Sequence, residues 1–340
     1  MELAAPENFR IRSKDDNSEP LGEWHNIITD GGMGDLIGCL VAADWNIKHF
    51  KKVKFHIWVP DYLFLFARHV LPKGTKVGSF SQWKEEGWQN VPGMTTEWMT
   101  NHTCMRTHPV DYGFHMLSDR HIYDLNQKNY LQIKAEKIDV SEFDIPKKYL
   151  AICATGVEPI RTMPVETANA IIDDAISRDL IPVFLGKEKS DVGFGTFEIK
   201  AKPMEINLDK GINLINKTTL LQTAKIINDS EVFVTMDGGL LHLAGCTDAS
   251  IVCGFTASDP IHVAPIRKGS QSYKFKAVEP EANLLNRYFQ TYGSFKKGNF
   301  QKFEGWEDLK ASMTPEKFIK KINQTLIDNE ISNGRIAQNF

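Results

Sequence analysis

The stretch Val234-Thr235-Met236-Asp237-Gly238-Gly239-Leu240-Leu241-His242-Leu243-Ala244 decides the fold of this chain. The run that ends at Thr235 predicts a buried strand, and a helical pattern begins directly after Asp237 and two glycines. A joint of this kind directs backbone N–H groups and the positive end of a helix at one point. Such a point binds phosphate or diphosphate, so we predict an anionic ligand at this joint.

A second glycine-rich joint, Thr29-Asp30-Gly31-Gly32-Met33-Gly34-Asp35, lies near the start of the chain. It does not fit the dinucleotide-binding fingerprint, because Gly38 follows Gly34 one position too late. The Gly-Lys-Ser/Thr of a phosphate loop is also missing after these glycines. One joint in each half of the chain indicates a ligand held between two α/β domains.

Apolar periodicity along the chain predicts alternating strands and helices, which is typical of parallel sheets with crossover helices. The predicted strands cover residues 24–29, 54–59, 149–154, 181–185, 231–235 and 251–255. The predicted helices cover residues 35–50, 61–70, 165–177, 218–228 and 314–329. Residues 80–126 predict long loops and short helices around a pocket. The fold class is therefore α/β, with two Rossmann-like domains facing a cleft.

The predicted domain organisation has three parts. Residues 1–146 form an N-terminal domain, with 1–22 as a polar lead-in, and Ile145-Pro146 is a plausible hinge. Residues 147–313 form a C-terminal domain. Residues 314–340 are a helix and tail that we expect to pack back on the N-terminal domain.

Composition narrows the class of protein. A chain of 340 residues fits two domains of ordinary size, and a formal net charge of -3 gives no global attraction to nucleic acid. Its five cysteines are odd in number and widely spaced, which predicts reduced thiols in a cytoplasmic protein. The sequence shows no export signal and no run long enough for a membrane span, so we expect no integral membrane association.

Each candidate site residue has a structural and a functional interpretation. Asp35 is either a helix-capping carboxylate or a catalytic one, and Asp237 is either a turn residue or a ligand contact. His242 either faces the phosphate site or is a hydrogen-bonded structural histidine. Arg161 follows a strand and either reaches a phosphate from the same sheet edge or is only solvated.

Two further clusters have the composition of a binding site. His102, Cys104 and His108 lack the partners of a zinc pattern, so we predict no metal site. The stretch from Arg267 to Phe303 mixes basic and aromatic residues, as a nucleic-acid groove, an anionic saccharide site, or a solvated surface over a core would. Its candidate acceptor contacts are Lys268, Lys274, Lys276, Lys296 and Lys297.

Three motifs together resemble the ADP-heptose:lipopolysaccharide heptosyltransferase family, glycosyltransferase family nine. Gly34-Asp35-Leu36-Ile37 is similar to its opening motif, and Thr155 to Pro164, with Arg161, is similar to the basic loop that opens its second domain. Ile215 to Val234 and the Asp237 joint, continued by Gly254 to Pro260, resemble its donor-site signature.

The resemblance implies the B-type glycosyltransferase fold and a metal-independent, inverting transfer from a nucleotide-diphosphate sugar, with no other cofactor. It implies that the N-terminal domain, residues 1–146, binds the acceptor and that the C-terminal domain, residues 147–313, binds the nucleotide sugar. It implies that Asp35 takes the proton from the acceptor hydroxyl and that Arg161 stabilises the departing diphosphate. The remaining implied donor contacts are Gly32, Gly34, Thr155, Gly186, Lys187, Glu188, Asp237, Gly238, Gly239, Leu240 and His242.

The acceptor stays open at the level of sequence. One alternative is a cell-surface saccharide such as lipopolysaccharide core. Another is phage DNA, with glucosyl or arabinosyl transfer to 5-hydroxymethylcytosine, since tailed phages carry relatives of this family. A third, of another class, is a non-catalytic module that binds nucleotide sugars, against which the presence of Asp35 argues.

Overall fold

The computed structural model describes residues 24–29, 32–49, 54–85, 108–118, 125–156, 159–187, 192–194, 197–199, 205–256, 258–268, 273–281, 306–332 and 334. Its elements are, in chain order, β1 (Trp24–Ile28), α1 (Met33–His49), β2 (Lys54–Val59), α2 (Phe64–Val70), β3 (Thr75–Ser79), α3 (Phe80–Glu85), α4 (Pro109–Ser118), β4 (Tyr149–Cys153), α5 (Val165–Ser177), β5 (Ile181–Phe184), β6 (Val192–Phe194), β7 (Phe197–Ile199), β8 (Ile212–Asn213), α6 (Leu220–Asp229), β9 (Val232–Met236), α7 (Gly239–Gly245), β10 (Ile251–Gly254), α8 (Pro260–Val263), β11 (Phe275–Val278), α9 (Trp306–Ala311) and α10 (Pro315–Ser332).

Two compact units divide the chain. The first holds residues 1–133 and 261–268, and the second holds residues 134–260 and 269–340. The division after Ile133 comes earlier than the boundary predicted at residue 146. Residues 261–268 join the first unit because the Tyr130 N–H donates to the Ile266 carbonyl, at 2.9 Å, and the His108 Nε2 lies 2.9 Å from the Ala264 carbonyl oxygen.

The first unit is built on a three-stranded parallel sheet in the order β1-β2-β3. Its two longest helices, α1 and α4, approach closely at glycines. A Cβ added to Gly38 would lie 2.5 Å from the Pro109 carbonyl oxygen, and one added to Gly113 would lie 2.6 Å from the Gly38 carbonyl oxygen. Only glycine permits this close approach of α1 and α4. Because α1 carries Asp35 in its first turn, the packing of the two helices also holds that turn in place.

The second unit contains a six-stranded sheet in the order β11-β10-β9-β4-β5-β8. All of its neighbouring strands pair in parallel, and β6 and β7 form a separate antiparallel pair. From β4 the chain adds β5 and β8 on one side of the sheet. From β9 it adds β10 and β11 on the other side. The sheet therefore has its topological switch point between β4 and β9, and in open α/β sheets ligands bind beside such a point.

The core of the second unit corrects one expectation. The helix α10 packs against α5, β10 and β11 of the same unit. Phe318 and Ile322 of α10 are fully buried in the cluster that also holds Ile171 of α5 and Val252 of β10. The predicted return of this helix to the N-terminal domain is therefore wrong, because its apolar face is used to cover the second sheet.

Parallel sheets in both units confirm the predicted α/β class. In the part of the chain that the structure covers, no helix is both long and apolar enough to cross a membrane.

Candidate functional site

Two loops leave the second sheet at its switch point, one after β4 and one after β9. The strands are direct neighbours, with Cys153 of β4 paired with Thr235 of β9. Parallel strands end at the same sheet edge, so Arg161, which follows β4, and Asp237, which follows β9, come to one place. The structure thus unites two residues that the sequence places far apart.

Backbone contacts hold the described residues of the loop after β4, which are 154–156 and 159–164. The Met163 N–H donates to the Ala154 carbonyl at 2.9 Å, which closes the loop on itself. The buried Thr256 hydroxyl, beyond the end of β10, donates to the Ile160 carbonyl at 2.7 Å. A Cβ at Gly156 would lie only 2.4 Å from the Arg161 carbonyl oxygen, so a glycine is needed there. These contacts fix the backbone of Arg161.

Arg161 and Asp237 form an ion pair, with 3.8 Å between the Arg161 Nε and the Asp237 Oδ2. Asp237 is only 4% exposed, and its Oδ2 makes no hydrogen bond with any residue that the structure describes. A buried carboxylate is costly unless a positive charge compensates it. Asp237 therefore depends on Arg161, and in turn holds the guanidinium at the switch point.

The joint after β9 presents backbone to solvent. The Asp237 N–H donates to the Gly254 carbonyl at 2.9 Å, which continues the ladder with β10 by one residue. Gly238 is extended, and a Cβ there would meet nothing nearer than the Met236 carbonyl oxygen at 3.8 Å. Gly239 is exposed, and Leu240 is half-buried. The space over Gly238 is thus open to a ligand.

His242 lies within α7 and is 8% exposed. Its burial favours the structural interpretation of this histidine over direct contact with a phosphate.

A third loop, after β5, lies beside the loop after β4. Gly186 has a φ of +120°, which L side chains rarely adopt, and a Cβ there would lie 2.8 Å from the Thr155 Oγ1. Thr155 itself is half-buried, and Lys187 is exposed. Glu188, the predicted ribose contact, lies outside the described residues. Thr155, Gly186 and Lys187 are therefore brought together at the sheet edge.

Two thiols lie beneath this edge in one row, with Thr235 between Cys153 and Cys253. Burial raises the pKa of the Cys153 thiol. Burial, and then the negative charge of Asp237, raises the pKa of the Cys253 thiol well above its ordinary value. Both thiols are therefore neutral at physiological pH and unsuited to act as nucleophiles.

Asp35 belongs to the first unit and lies in the first turn of α1. Its Oδ2 accepts a hydrogen bond from the Gly32 N–H at 2.8 Å, and the side chain is half-buried. This contact confirms the capping interpretation of Asp35, in which a side chain satisfies an N–H at the helix start. It also uses the Gly32 N–H that was predicted to bind the donor. Gly34, the other predicted contact in this joint, is buried in α1.

Tyr62 is a site residue that the sequence analysis does not identify. It follows β2, the direct neighbour of β1, and 42% of it is exposed. Partial burial, and then the negative charge of Asp35, raise the pKa of Tyr62 to about 12. The sequence offers only a weak signal for it, an aromatic residue three positions after the end of a predicted strand, because the pairing of that strand with β1 is seen only in the structure.

The lysines that were predicted to contact the acceptor differ in exposure and in hydrogen bonding. Lys268 is exposed and belongs to the first unit. Lys274 donates to the Asp248 carbonyl at 3.0 Å, and Lys276 forms an ion pair with Asp328 at 2.7 Å. Lys296 and Lys297 lie outside the described residues. The contacts of Lys274 and Lys276 are thus made within the second unit.

None of the described His, Cys, Asp and Glu residues form a group of three or more that could hold a metal ion. His102 and Cys104 lie outside the described residues. His108 is buried and bonded at both ring nitrogens, to the Ala264 carbonyl oxygen and the Val110 N–H.

Comparison with known proteins decides the family. The profile of glycosyltransferase family 9 (heptosyltransferase) matches residues 82–283, which is more than half of the chain. The chain belongs to this family. It is therefore a glycosyltransferase, and the resemblance seen in its motifs is confirmed. None of the curated proteins matches the sequence.

Solved structures of this family share the fold. E. coli ADP-heptose lipopolysaccharide heptosyltransferase II matches with a TM-score of 0.55 at 12% identity, covering 90% of this chain and 99% of its own. The family 9 glycosyltransferase of Veillonella parvula DSM 2008 matches with a TM-score of 0.58 at 14% identity, covering 92% and 100%. The iron-containing dodecameric glycosyltransferase TibC of enterotoxigenic E. coli H10407 matches with a TM-score of 0.59 at 11% identity, covering 89% and 76%. These matches confirm the B-type glycosyltransferase fold.

Proposed function

We propose that this glycosyltransferase moves a sugar from a nucleotide-diphosphate sugar to a hydroxyl of a cell-surface saccharide such as lipopolysaccharide core. The observation that carries the proposal is the Arg161 guanidinium beside the buried Asp237 carboxylate, with open space over Gly238. It combines a fixed positive charge with exposed backbone at a switch point, which suits a diphosphate. E. coli ADP-heptose lipopolysaccharide heptosyltransferase II, which has a similar fold, takes its name from a donor of this class and so supports the proposal.

In the proposed reaction, the second unit must stabilise the diphosphate leaving group. As the bond between the anomeric carbon and the diphosphate breaks, negative charge grows on the diphosphate oxygens. We propose that the Arg161 guanidinium, which lies 3.8 Å from the Asp237 carboxylate and carries five N–H donors, binds one of these oxygens. The backbone of Gly238, Gly239 and Leu240 adds N–H groups that are fixed before the reaction begins.

In the proposed reaction, the first unit must activate the acceptor hydroxyl. A sugar hydroxyl is a weak nucleophile, so we propose that the Asp35 carboxylate removes its proton as the oxygen attacks the anomeric carbon. The new C–O bond forms on the face opposite the departing diphosphate, which inverts that carbon. The carbon passes through oxocarbenium character, as in other glycosyl transfers. The Gly32 contact orients the carboxylate for this role.

The rest of the donor site follows from the third loop. We propose that Thr155, Gly186 and Lys187 contact the nucleoside part of the donor and that Glu188 binds a ribose hydroxyl. Positive charge from Arg161 and from backbone N–H groups would stabilise the diphosphate, so we propose that no metal ion is required. His242 would support this site from within α7.

We further propose a cytoplasmic location. Cys39, Cys153 and Cys253 are buried and free, which suits a reducing compartment.

The test is a transfer assay with a panel of nucleotide-diphosphate sugars, including ADP-heptose. The acceptors are lipopolysaccharide core and duplex DNA that contains 5-hydroxymethylcytosine. Transfer to the saccharide that persists in EDTA and shows an inverted product supports the proposal. Transfer to DNA alone would reject the saccharide acceptor, and binding of a donor without any transfer or hydrolysis would favour a non-catalytic module.

A further inference from the structure

The turns that follow β1 and β2 leave the same edge of the first sheet. Ile28 pairs with Trp58 at the ends of these strands, and the Thr29 N–H continues the ladder to the Trp58 carbonyl at 2.9 Å. Asp35 follows the first strand and Tyr62 follows the second. The geometry therefore places an aromatic side chain at the same sheet edge as the carboxylate that we assign as the general base.

The turn that carries Tyr62 is fixed on both sides. The Asp61 carboxylate accepts hydrogen bonds from the Ser81 N–H, at 3.1 Å, and from the Ser81 hydroxyl, at 2.8 Å. The Leu63 N–H donates to the Pro60 carbonyl at 2.9 Å, and the Leu63 side chain is fully buried. Since Leu63 turns inward and Asp61 is held by Ser81, the ring of Tyr62 is directed away from the core and keeps its exposure.

The exposed surface continues along α2. Leu65 is 63% exposed, and His69 is also exposed. Residues three and seven positions after Tyr62 lie on the same face of a helix. An aromatic ring with a hydroxyl, next to an exposed leucine, offers both an apolar surface and a hydrogen-bonding group. A sugar ring needs these two features, because it has an apolar C–H face and hydroxyls around its rim.

We propose that Tyr62 positions the acceptor saccharide of this transferase, with its ring against the acceptor sugar and its hydroxyl bonded to a hydroxyl of that sugar. The inference rests on the proposed function, in which Asp35 activates the acceptor. It adds the residue that presents the acceptor to Asp35, and Leu65 extends the contact surface.

The electrostatics agree with this role. The raised pKa, about 12, keeps the Tyr62 phenol protonated throughout the physiological range. A protonated phenol can donate a hydrogen bond, and it adds no negative charge next to Asp35.

The first experiment separates binding of the acceptor from chemistry. Tyr62→Phe keeps the ring and removes the hydroxyl, whereas Tyr62→Ala removes both. We expect Tyr62→Phe to raise KM for lipopolysaccharide core by about 3- to 10-fold, as loss of one hydrogen bond predicts, and Tyr62→Ala to raise it further. The KM for the donor and the rate of donor hydrolysis should stay unchanged. Ile176, which is 44% exposed on α5 of the second unit, supplies the control Ile176→Ala, a truncation of equally exposed apolar surface outside the proposed sites.

The outcomes distinguish this inference from the proposed function. An unchanged acceptor KM in Tyr62→Ala, in an enzyme that still transfers sugar to the saccharide, would reject the role of Tyr62 alone. A wild-type protein that neither binds nor uses nucleotide sugars would reject the proposed function. A loss of donor hydrolysis in Tyr62→Phe would also reject the inference, because an acceptor contact does not affect that reaction.

A second experiment tests the geometry without any acceptor. The ultraviolet titration of the phenols is recorded for the wild type and for Tyr62→Phe, and the difference gives the pKa of Tyr62. Asp35→Asn removes the neighbouring negative charge, so it should lower this pKa from about 12. A pKa that does not respond to Asp35→Asn would place Tyr62 too far from Asp35 to share an acceptor with it.

Discussion

Asp35 combines an observed structural contact with the catalytic role that we propose for it. Its carboxylate caps α1 through the Gly32 N–H, so a cap alone would explain its place in the sequence. We predict that Asp35→Asn slows transfer by roughly 100- to 10,000-fold, since the amide keeps the shape and cannot take a proton. Calorimetry should show nearly unchanged donor binding.

The control for this prediction is thermal unfolding. An amide oxygen can still accept the Gly32 N–H, so Asp35→Asn should change stability little. Near-full turnover at neutral pH would show that Asp35 is only a cap and that the base lies elsewhere.

Arg161 and Asp237 form a pair in which each partner depends on the other. We predict that Arg161→Ala weakens the binding of a nucleoside diphosphate by about 1.5–3 kcal/mol, which is typical of a charge-assisted hydrogen bond. The binding of the matching nucleoside should change much less. Isothermal calorimetry with both ligands measures the difference, and equal losses would place Arg161 away from the phosphates.

A matched control comes from the same unit. Arg178 bonds twice to the Asp174 carboxylate, with both contacts at 2.9 Å on the exposed side of α5. Arg178→Ala removes a paired arginine of similar exposure that is not at the switch point. It should leave the affinity for both ligands unchanged.

At the scale of elements, glycines shape the two loops to which we assign the binding of the donor. Gly156 and Gly238 differ in the space around them, since a Cβ would lie 2.4 Å from backbone at Gly156 and 3.8 Å from its nearest neighbour at Gly238. We predict that Gly156→Ala lowers the free energy of unfolding by about 1–3 kcal/mol, as overpacking does. Gly238→Ala should leave stability nearly unchanged but weaken diphosphate binding, because its methyl group fills the ligand's space.

Chemical denaturation and calorimetry on both variants check this pair of expectations. If Gly238→Ala bound the diphosphate as tightly as the wild type, the ligand would not approach this backbone.

The segment that joins the first unit at residues 261–268 depends on a buried histidine. Burial lowers the pKa of His108 to about 4, although its bond to the Ala264 carbonyl and the charge of Asp111 oppose the shift. The charges of Lys128 and His262 lower it further. Between about pH 6.5 and pH 4 the unfolded chain binds a proton at His108 that the native chain does not bind.

The free energy of unfolding therefore contains the full contribution of neutral His108 above about pH 6.5. This contribution declines as the pH falls towards about 4. We predict that His108→Gln flattens this decline, since glutamine does not titrate. Urea denaturation across this range measures the slope, which for one group reaches about 1.4 kcal/mol per pH unit. Equal slopes for the variant and the wild type would show that His108 is not buried in its neutral form.

Most elements of the second unit are predictable because strands and helices there have strong apolar periods. The bounds of α5, at Val165–Ser177, agree with the prediction, as do those of β2 in the first unit, at Lys54–Val59. The strands β3 and β11 are absent from the prediction. Each is short, and most of its residues are only partly buried or exposed, so the apolar signal is weak.

At the scale of the whole molecule, the net charge of the protein influences which acceptor it can bind. The formal net charge is -3, and Lys276, one of the predicted acceptor contacts, is paired with Asp328. Such a molecule has no general attraction to a polyanion. We predict that it shows no salt-dependent affinity for duplex DNA at low ionic strength.

Fluorescence anisotropy with labelled duplex, measured over a range of salt, tests this expectation. The double variant Lys296→Ala and Lys297→Ala serves as the comparison. A salt slope that falls by roughly 0.9 for each lysine removed would contradict the saccharide proposal and support a DNA acceptor.

The sequence by itself determined the local features: two glycine joints, the alternation of strands and helices, and the motifs of the family. These depend on short-range patterns, in which turn residues and apolar periods act over a few positions. Asp35, Arg161 and Asp237 are candidates on this ground alone, because each lies in a turn directly after a predicted strand.

Only the tertiary structure decided which of these residues meet. The pairing of β4 with β9 brings Arg161 to Asp237, the pairing of β1 with β2 brings Tyr62 and Asp35 to one sheet edge, and α10 covers the second sheet. Strand neighbours and helix docking depend on burial between segments that are distant in the chain. No local pattern encodes that choice, because it is the packing of the complete core that makes one arrangement more stable than the others.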